Sequence, residues 1–287
     1  MSLHPAQHSP RNAGHGASHP GRGSKASPSP TAGTAPYDPL FALTGKIALV
    51  TGGSRGLGRE MVLAFAERGA DVIIASRKLA VCQALASEVE QRFGRQALAI
   101  SANVSHWQEC EALVDAAYER FGRVDVLVNN AGLSPLYPGV DAVEEALFDK
   151  VIGVNLKGPF RLTALIGSQM AEGDGGTILN ISSNAAVRPK PEFLPYAAAK
   201  AGLNALTVGF AHALGPKVRV NAIMAGPFFT DIAEAWDREA FEAEAKATMA
   251  LKRGGHPSEV VGAALYLVSE ASSYCTGSIL RLDGGTT

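Results

Sequence analysis

The chain has 287 residues, 46% of them hydrophobic and 18% charged, with a formal net charge of −1. That length supplies ample core for one large α/β domain or two small ones, and the balanced charge excludes a nucleic-acid partner held by bulk electrostatics. No apolar run approaches the ~20 residues of a membrane-spanning helix, and three scattered cysteines without CxxC spacing exclude a zinc module and a disulfide framework, so a reducing, cytoplasmic setting is expected.

Residues 1–36 are almost wholly Ser, Pro, Gly, Ala and His, and Leu3 is their only large aliphatic side chain after Met1. Such a stretch buries too little apolar area to offset the entropy of ordering, so residues 1–39 are expected to form a disordered tail. It has no apolar core of a secretory signal. Its four histidines (His4, His8, His15, His19) are irregularly spaced without acidic or thiol partners, and no metal site is expected. One folded domain is expected over 40–287.

From there apolar runs alternate with amphipathic stretches. Lys46–Thr51 reads as a buried strand, 57–69 as a helix stopped by Gly69, Asp71–Ser76 as a second strand and 79–93 as a helix. Gln96–Ala102 follows as a strand, with Ser105 capping a helix to Phe121. Val124–Asn129 is the fourth strand. A long helix is expected from Leu147 to Met170, bent at Pro159, which has no N–H for the carbonyl of Asn155. Thr177–Ser182 is a strand, Tyr196–Leu214 a helix and Val218–Met224 a strand. A polar-aromatic stretch, 227–255, breaks the rhythm before a helix at 258–269 and a strand at 278–282. Strands alternating with helices of this length predict right-handed βαβ units and a doubly wound parallel sheet of Rossmann-like α/β class.

The first strand runs into Thr51-Gly52-Gly53-Ser54-Arg55-Gly56-Leu57-Gly58 and then a helix. Glycines there permit a sharp turn and close approach of a pyrophosphate to the helix N-terminus, which points to a dinucleotide. At the end of the second strand, where an acid would take a ribose 2′-hydroxyl, stands Ser76, followed by Arg77 and Lys78; Arg55 adds a cation inside the turn. Cations without an acid fit a 2′-phosphate, so NADP(H) is expected over NAD(H).

Tyr196-Ala-Ala-Ala-Lys200 places an ammonium one helical turn from a phenol. Ser183 ends a strand thirteen residues earlier, and Asn129-Asn130-Ala131-Gly132 ends another. All three lie at the carboxyl edge of the sheet, where such folds bind ligands. In order and spacing, these pieces, with Asn155 in VNLKG and the closing LDGG at 282–285, resemble the short-chain dehydrogenase/reductase family over essentially all of 40–287. The resemblance implies a tetrad of Asn155, Ser183, Tyr196 and Lys200, and a cofactor held also by Asn130, Ala131, Gly132, Gly226 and Thr230. Two departures stand out. Asn103-Val104 replaces the usual Asp-Val that grips adenine, although the Asn amide can still accept that hydrogen bond, and Ala225-Gly226-Pro227 replaces Pro-Gly.

The chemistry follows physically. Hydride reaching a carbonyl carbon builds charge on oxygen, and a phenol of pKa about 10 is a poor partner near neutrality unless a neighbouring ammonium, with the positive nicotinamide of the oxidised cofactor, lowers it. Ser183 would donate a hydrogen bond to the substrate oxygen, Lys200 would also bind the nicotinamide ribose, and Asn155 would anchor a relay water. The substrate is a small carbonyl compound or alcohol, covered by Leu133–Val140, the 184–195 loop and the 227–255 stretch. The apolar residues of that stretch (Phe228, Phe229, Trp236, Phe241, Met249) are either core or lid. Arg188 and Lys190 would meet an acidic substrate or remain solvated. A 3-oxoacyl-thioester reductase is the alternative among enzymes, and a silent dinucleotide sensor the alternative of another class. Apolar on two faces, the helix after Tyr196 predicts a homo-oligomer, tetramer or dimer.

Overall fold

A computed structural model describes residues 38–230 and 238–287; most of the expected tail, and Trp236, lie outside the described residues. The apolar runs become β1 (Ile47–Thr51), β2 (Asp71–Ser76), β3 (Ala97–Ser101), β4 (Val126–Asn129), β5 (Gly176–Ser183), β6 (Val218–Ala225) and β7 (Ile279–Leu282). They form one sheet in the order β3-β2-β1-β4-β5-β6-β7, every pair parallel. β1 and β4 are buried at every residue, which is why they read as continuous apolar runs rather than alternating ones.

Helices α1 (Gly56–Glu67), α2 (Leu79–Phe93) and α8 (Val261–Val268) cover one face, over a core that includes Val50, Phe65, Ile74 and Leu179. Helices α3 (Trp107–Phe121), α5 (Gly158–Glu172) and α6 (Leu194–Leu214) cover the other, over Leu49, Ile73, Leu127 and Ile166. Two further helices among the described residues are α4 (Glu145–Ile152) and α7 (Arg238–Thr248). This is the expected single doubly wound domain. Strand order reverses between β1 and β4, opening a crevice at their carboxyl ends. Cys82, Cys110 and Cys275 are free thiols, and burial pushes that of Cys110 up to about 11.

Two local expectations are corrected. Ser105 does not cap α3: His106 occupies the N-cap without a side-chain bond, while the Ser105 hydroxyl and N–H both bond Asn103 Oδ1 in an Asx turn. The long helix expected over 147–170 is α4 and α5 joined by a π-helical turn at Gly153–Lys157, where the N–H of Gly158 reaches back to Gly153. Pro159 has no N–H for the Asn155 carbonyl, and one extra residue in the turn absorbs that vacancy.

The half-buried Arg219 on β6 donates to the carbonyls of Leu267, Ser269 and Cys275 and to Ser272 Oγ, gathering the chain beyond α8. Arg219→Met would leave these acceptors unpaired and should cost more than about 3 kcal/mol in denaturant unfolding.

Candidate active site

At the reversal point the ends of β1 and β4 are tied together. The Thr51 hydroxyl donates to the Val128 carbonyl (3.2 Å) and accepts from the N–H groups of Asn130 (3.1 Å) and Ala131 (3.2 Å). Asn130 Nδ2 donates to the carbonyls of Thr51 (2.9 Å) and Gly52 (3.0 Å). The Asn130 amide is therefore spent on shaping the glycine turn. Gly52 and Gly56 hold positive φ (61° and 52°), and a Cβ on Gly58 would stand 2.3 Å from the Gly52 carbonyl oxygen. Arg55 extends before α1 with no side-chain cap, and the first turn carries no acid, so its N–H groups suit an anion from outside. Leu57 lies in that first turn. From the other end of the chain, Thr230 brings its methyl to 3.3 Å from where a Gly56 Cβ would stand. Backbone cradle, uncapped N-terminus and absent acid fit a pyrophosphate.

At the end of β2, Ser54 Oγ donates to Ser76 Oγ (3.0 Å), which lies 3.0 Å from Cys82 Sγ. Arg77 and Lys78 are exposed and form no ion pair among the described residues. Asn103 departs from its expected role: its side-chain oxygen already accepts from Ser105 N–H (3.2 Å) and Ser105 Oγ (2.9 Å), leaving the NH2 group as its free face. The carbonyl of neighbouring Val104 accepts from Cys110 Sγ and passes so close to Gly158 that a Cβ there would lie 2.2 Å away. Gly226 is equally cramped, with its would-be Cβ 2.6 Å from Asp283 Cα.

Ser183 at the end of β5, Tyr196 and Lys200 in the first turns of α6, and Asn155 in the π turn meet beyond Gly132. A Cβ on Gly132 would stand 3.4 Å from Asn155 Oδ1 and 4.0 Å from Lys200 Nζ. Asn155 is fully buried; its Nδ2 donates to the carbonyls of Leu133 (2.8 Å) and Val151 (2.9 Å), and its Oδ1 accepts from Leu133 N–H. Lys200 Nζ donates to the Ile181 carbonyl (2.7 Å) and lies 5.6 Å from the centre of the Tyr196 ring. Burial pushes the Lys200 ammonium down to about 7. It also raises the Tyr196 phenol above its ordinary value, with a Ser183 hydrogen bond working the other way. Burial of the pair thus opposes the lowering expected from a neighbouring ammonium and nicotinamide.

Around this centre, Phe228 and Met249 are buried core, and Phe229 meets Phe241 edge-on at 5.5 Å. Lys190 pairs with Glu244 of α7 (2.6 Å), and Arg188 Nη1 lies 3.8 Å from Asp283. Both cations face acids of this chain. Tyr137, which no sequence motif marks, accepts from Leu194 N–H (2.7 Å) and donates to the Pro191 carbonyl (2.6 Å).

Residues 52–287 match the family model described as enoyl-(acyl carrier protein) reductase. The short chain dehydrogenase/reductase astE of Aspergillus oryzae is 38% identical over 250 residues, which are 85% of this chain and 96% of that protein. The 3-oxoacyl-[acyl-carrier-protein] reductase FabG of Thermotoga maritima is 36% identical over 85% of this chain and 98% of its own. Among solved structures, a 7α-hydroxysteroid dehydrogenase complexed with NADH and 7-oxo glycochenodeoxycholic acid superposes with a TM-score of 0.82 at 33% identity, covering 86% of this chain and 96% of that one.

Proposed function

The chain belongs to the short-chain dehydrogenase/reductase family, and on that premise we propose that it is an NADP(H)-dependent reductase of a small carbonyl compound, acting reversibly on the secondary alcohol. The observation that carries this reading is the meeting of Asn155, Ser183, Tyr196 and Lys200 beyond a glycine cradle. A reduced nicotinamide supplies the hydride when bound. Gly52, Ser54, Arg55, Gly56, Leu57, Gly58 and Thr230 would hold its pyrophosphate side; Asn103, Val104, Ala131, Gly132 and Gly226 would flank the rest.

Tyr196 is the proton donor to the substrate oxygen. Its phenol is protonated at neutral pH, the state a reduction needs, and burial pushes it further in that direction. Ser183 donates a hydrogen bond to the same oxygen, where charge develops. Lys200, with a pKa of about 7, can hold or release a proton near neutrality, and Asn155 orients the chain beside it. Ser54 and Ser76 present hydroxyls instead of a carboxylate, and Arg55, Arg77 and Lys78 supply charge for a 2′-phosphate. Likeness to the Thermotoga reductase supports a second reading, reduction of a 3-oxoacyl thioester. Exposed Phe160 and Val208, on α5 and α6, support a homo-oligomer.

Nucleotide fluorescence titration and NADPH absorbance with ketones, 3-oxoacyl thioesters and sugar acids test the reading together. NADPH should bind several-fold tighter than NADH, and equal affinities would remove the cofactor assignment. Tyr196→Phe should lose about 10²–10⁴-fold in turnover while still binding nucleotide; wild-type turnover would overturn the site.

A further inference from the structure

We propose that Tyr137 is a positioning residue for this reaction, its hydroxyl replacing the missing N-cap of α6 and thereby holding Tyr196 in register with Ser183. The inference rests on the reading of Tyr196 as the proton donor. α6 starts without a side-chain cap: Phe193 occupies the N-cap with φ −149° and ψ 37°, and Pro195 follows inside the first turn. A helix start needs acceptors for its first N–H groups, and here no neighbouring side chain supplies one. The Tyr137 hydroxyl accepts from the Leu194 N–H at 2.7 Å and donates to the Pro191 carbonyl at 2.6 Å. One hydroxyl thus clamps both ends of the turn at Pro191–Phe193 that leads into α6.

The clamp comes from 57 residues away, in the loop after β4. That loop is itself anchored at Leu133 by the Asn155 amide. The Tyr137 ring, with Pro135, Leu147, Val151 and Phe193, lines an apolar crevice that ends on Tyr196, and the Phe193 ring stands edge-on to Tyr196 at 6.4 Å. Tyr196 is the third residue of α6, so loosening of its first turn displaces the phenol. Ser183 sits on β5, a different element, and would not follow. The groups that face the phenol are Ser183, which bonds it, and Lys200, whose ammonium lies 5.6 Å from the ring centre.

Tyr137→Phe keeps the ring and removes both hydrogen bonds. In the full chain, kcat should fall about ten- to hundredfold, with NADPH affinity unchanged because the glycine turn is untouched. Losing the Ser183 bond, which favours the ionised phenol, should also move the ascending limb of the pH–rate profile of alcohol oxidation to higher pH. An unchanged kcat and pH profile would overturn the proposal. Amide exchange of the unmutated protein gives a second test: Leu194 N–H should be protected, and exchange at the rate of an exposed amide would overturn it equally. Tyr196→Phe separates the two readings. If that variant is inactive while Tyr137→Phe behaves as the parent, only the clamp fails; if Tyr196→Phe turns over normally, the proton-donor reading itself fails.

Discussion

Lys200→Met should abolish turnover and at the same time raise the melting temperature. The ammonium is buried, donates to the Ile181 carbonyl as its one hydrogen bond among the described residues, and has its pKa pushed down to about 7 by desolvation. In the unfolded chain a lysine titrates near 10.4. Between these values the unfolded state binds more protons than the folded one, so stability rises with pH from about 7 to about 10 and is flat below. Near neutrality the buried charge costs roughly 3–5 kcal/mol. Methionine removes that cost and leaves the Ile181 carbonyl unpaired at roughly 1–3 kcal/mol. The variant should therefore melt a few degrees higher at pH 7, and its melting temperature should lose much of the parent's rise toward pH 9.5. A variant that melts lower than the parent at pH 7 and keeps the same pH dependence would show that Lys200 stabilises the fold.

Gly58→Ala should be the most damaging small substitution in the cofactor half. Its Cβ would stand 2.3 Å from the Gly52 carbonyl oxygen and 2.6 Å from Asn130 Nδ2, so backbone as well as side chain must move. Overpacking of this kind costs about 1–3 kcal/mol. The contacts it strains are those by which Asn130 holds the turn, so nucleotide affinity should drop about a hundredfold or more at 2.7 kcal/mol lost. Gly94→Ala is the matched control: its positive φ makes alanine strained there too, but nothing lies within 4 Å of the added Cβ. It should lose stability alone. Calorimetric titration of both variants with NADPH checks this, and equal loss of affinity in the two would refute it.

Much of the architecture was written locally. Fully buried parallel strands read as continuous apolar runs, glycines are favoured where φ is positive, and a phenol and ammonium four residues apart on a helix share a face. β1, the glycine turn and the Tyr196–Lys200 pair were therefore readable before any contact was known. Even the break near Asn155 had a local signal, since Pro159 removes one backbone donor. Its form as a widened turn did not, because Gly158 and Gly153 pack against Val104 and Ser105. The jobs of single polar atoms were settled only by the tertiary structure. Asn130 shapes the turn through carbonyls 79 and 78 residues away, and Tyr137 caps a helix 57 residues further on. Asn103 turns its oxygen inward to Ser105, a choice between two faces of one amide that spacing does not encode. The direction of the Tyr196 shift belongs to the same class. Residue spacing brought the lysine near, but the desolvation that raises the phenol and lowers the ammonium comes from the elements packed around the pair.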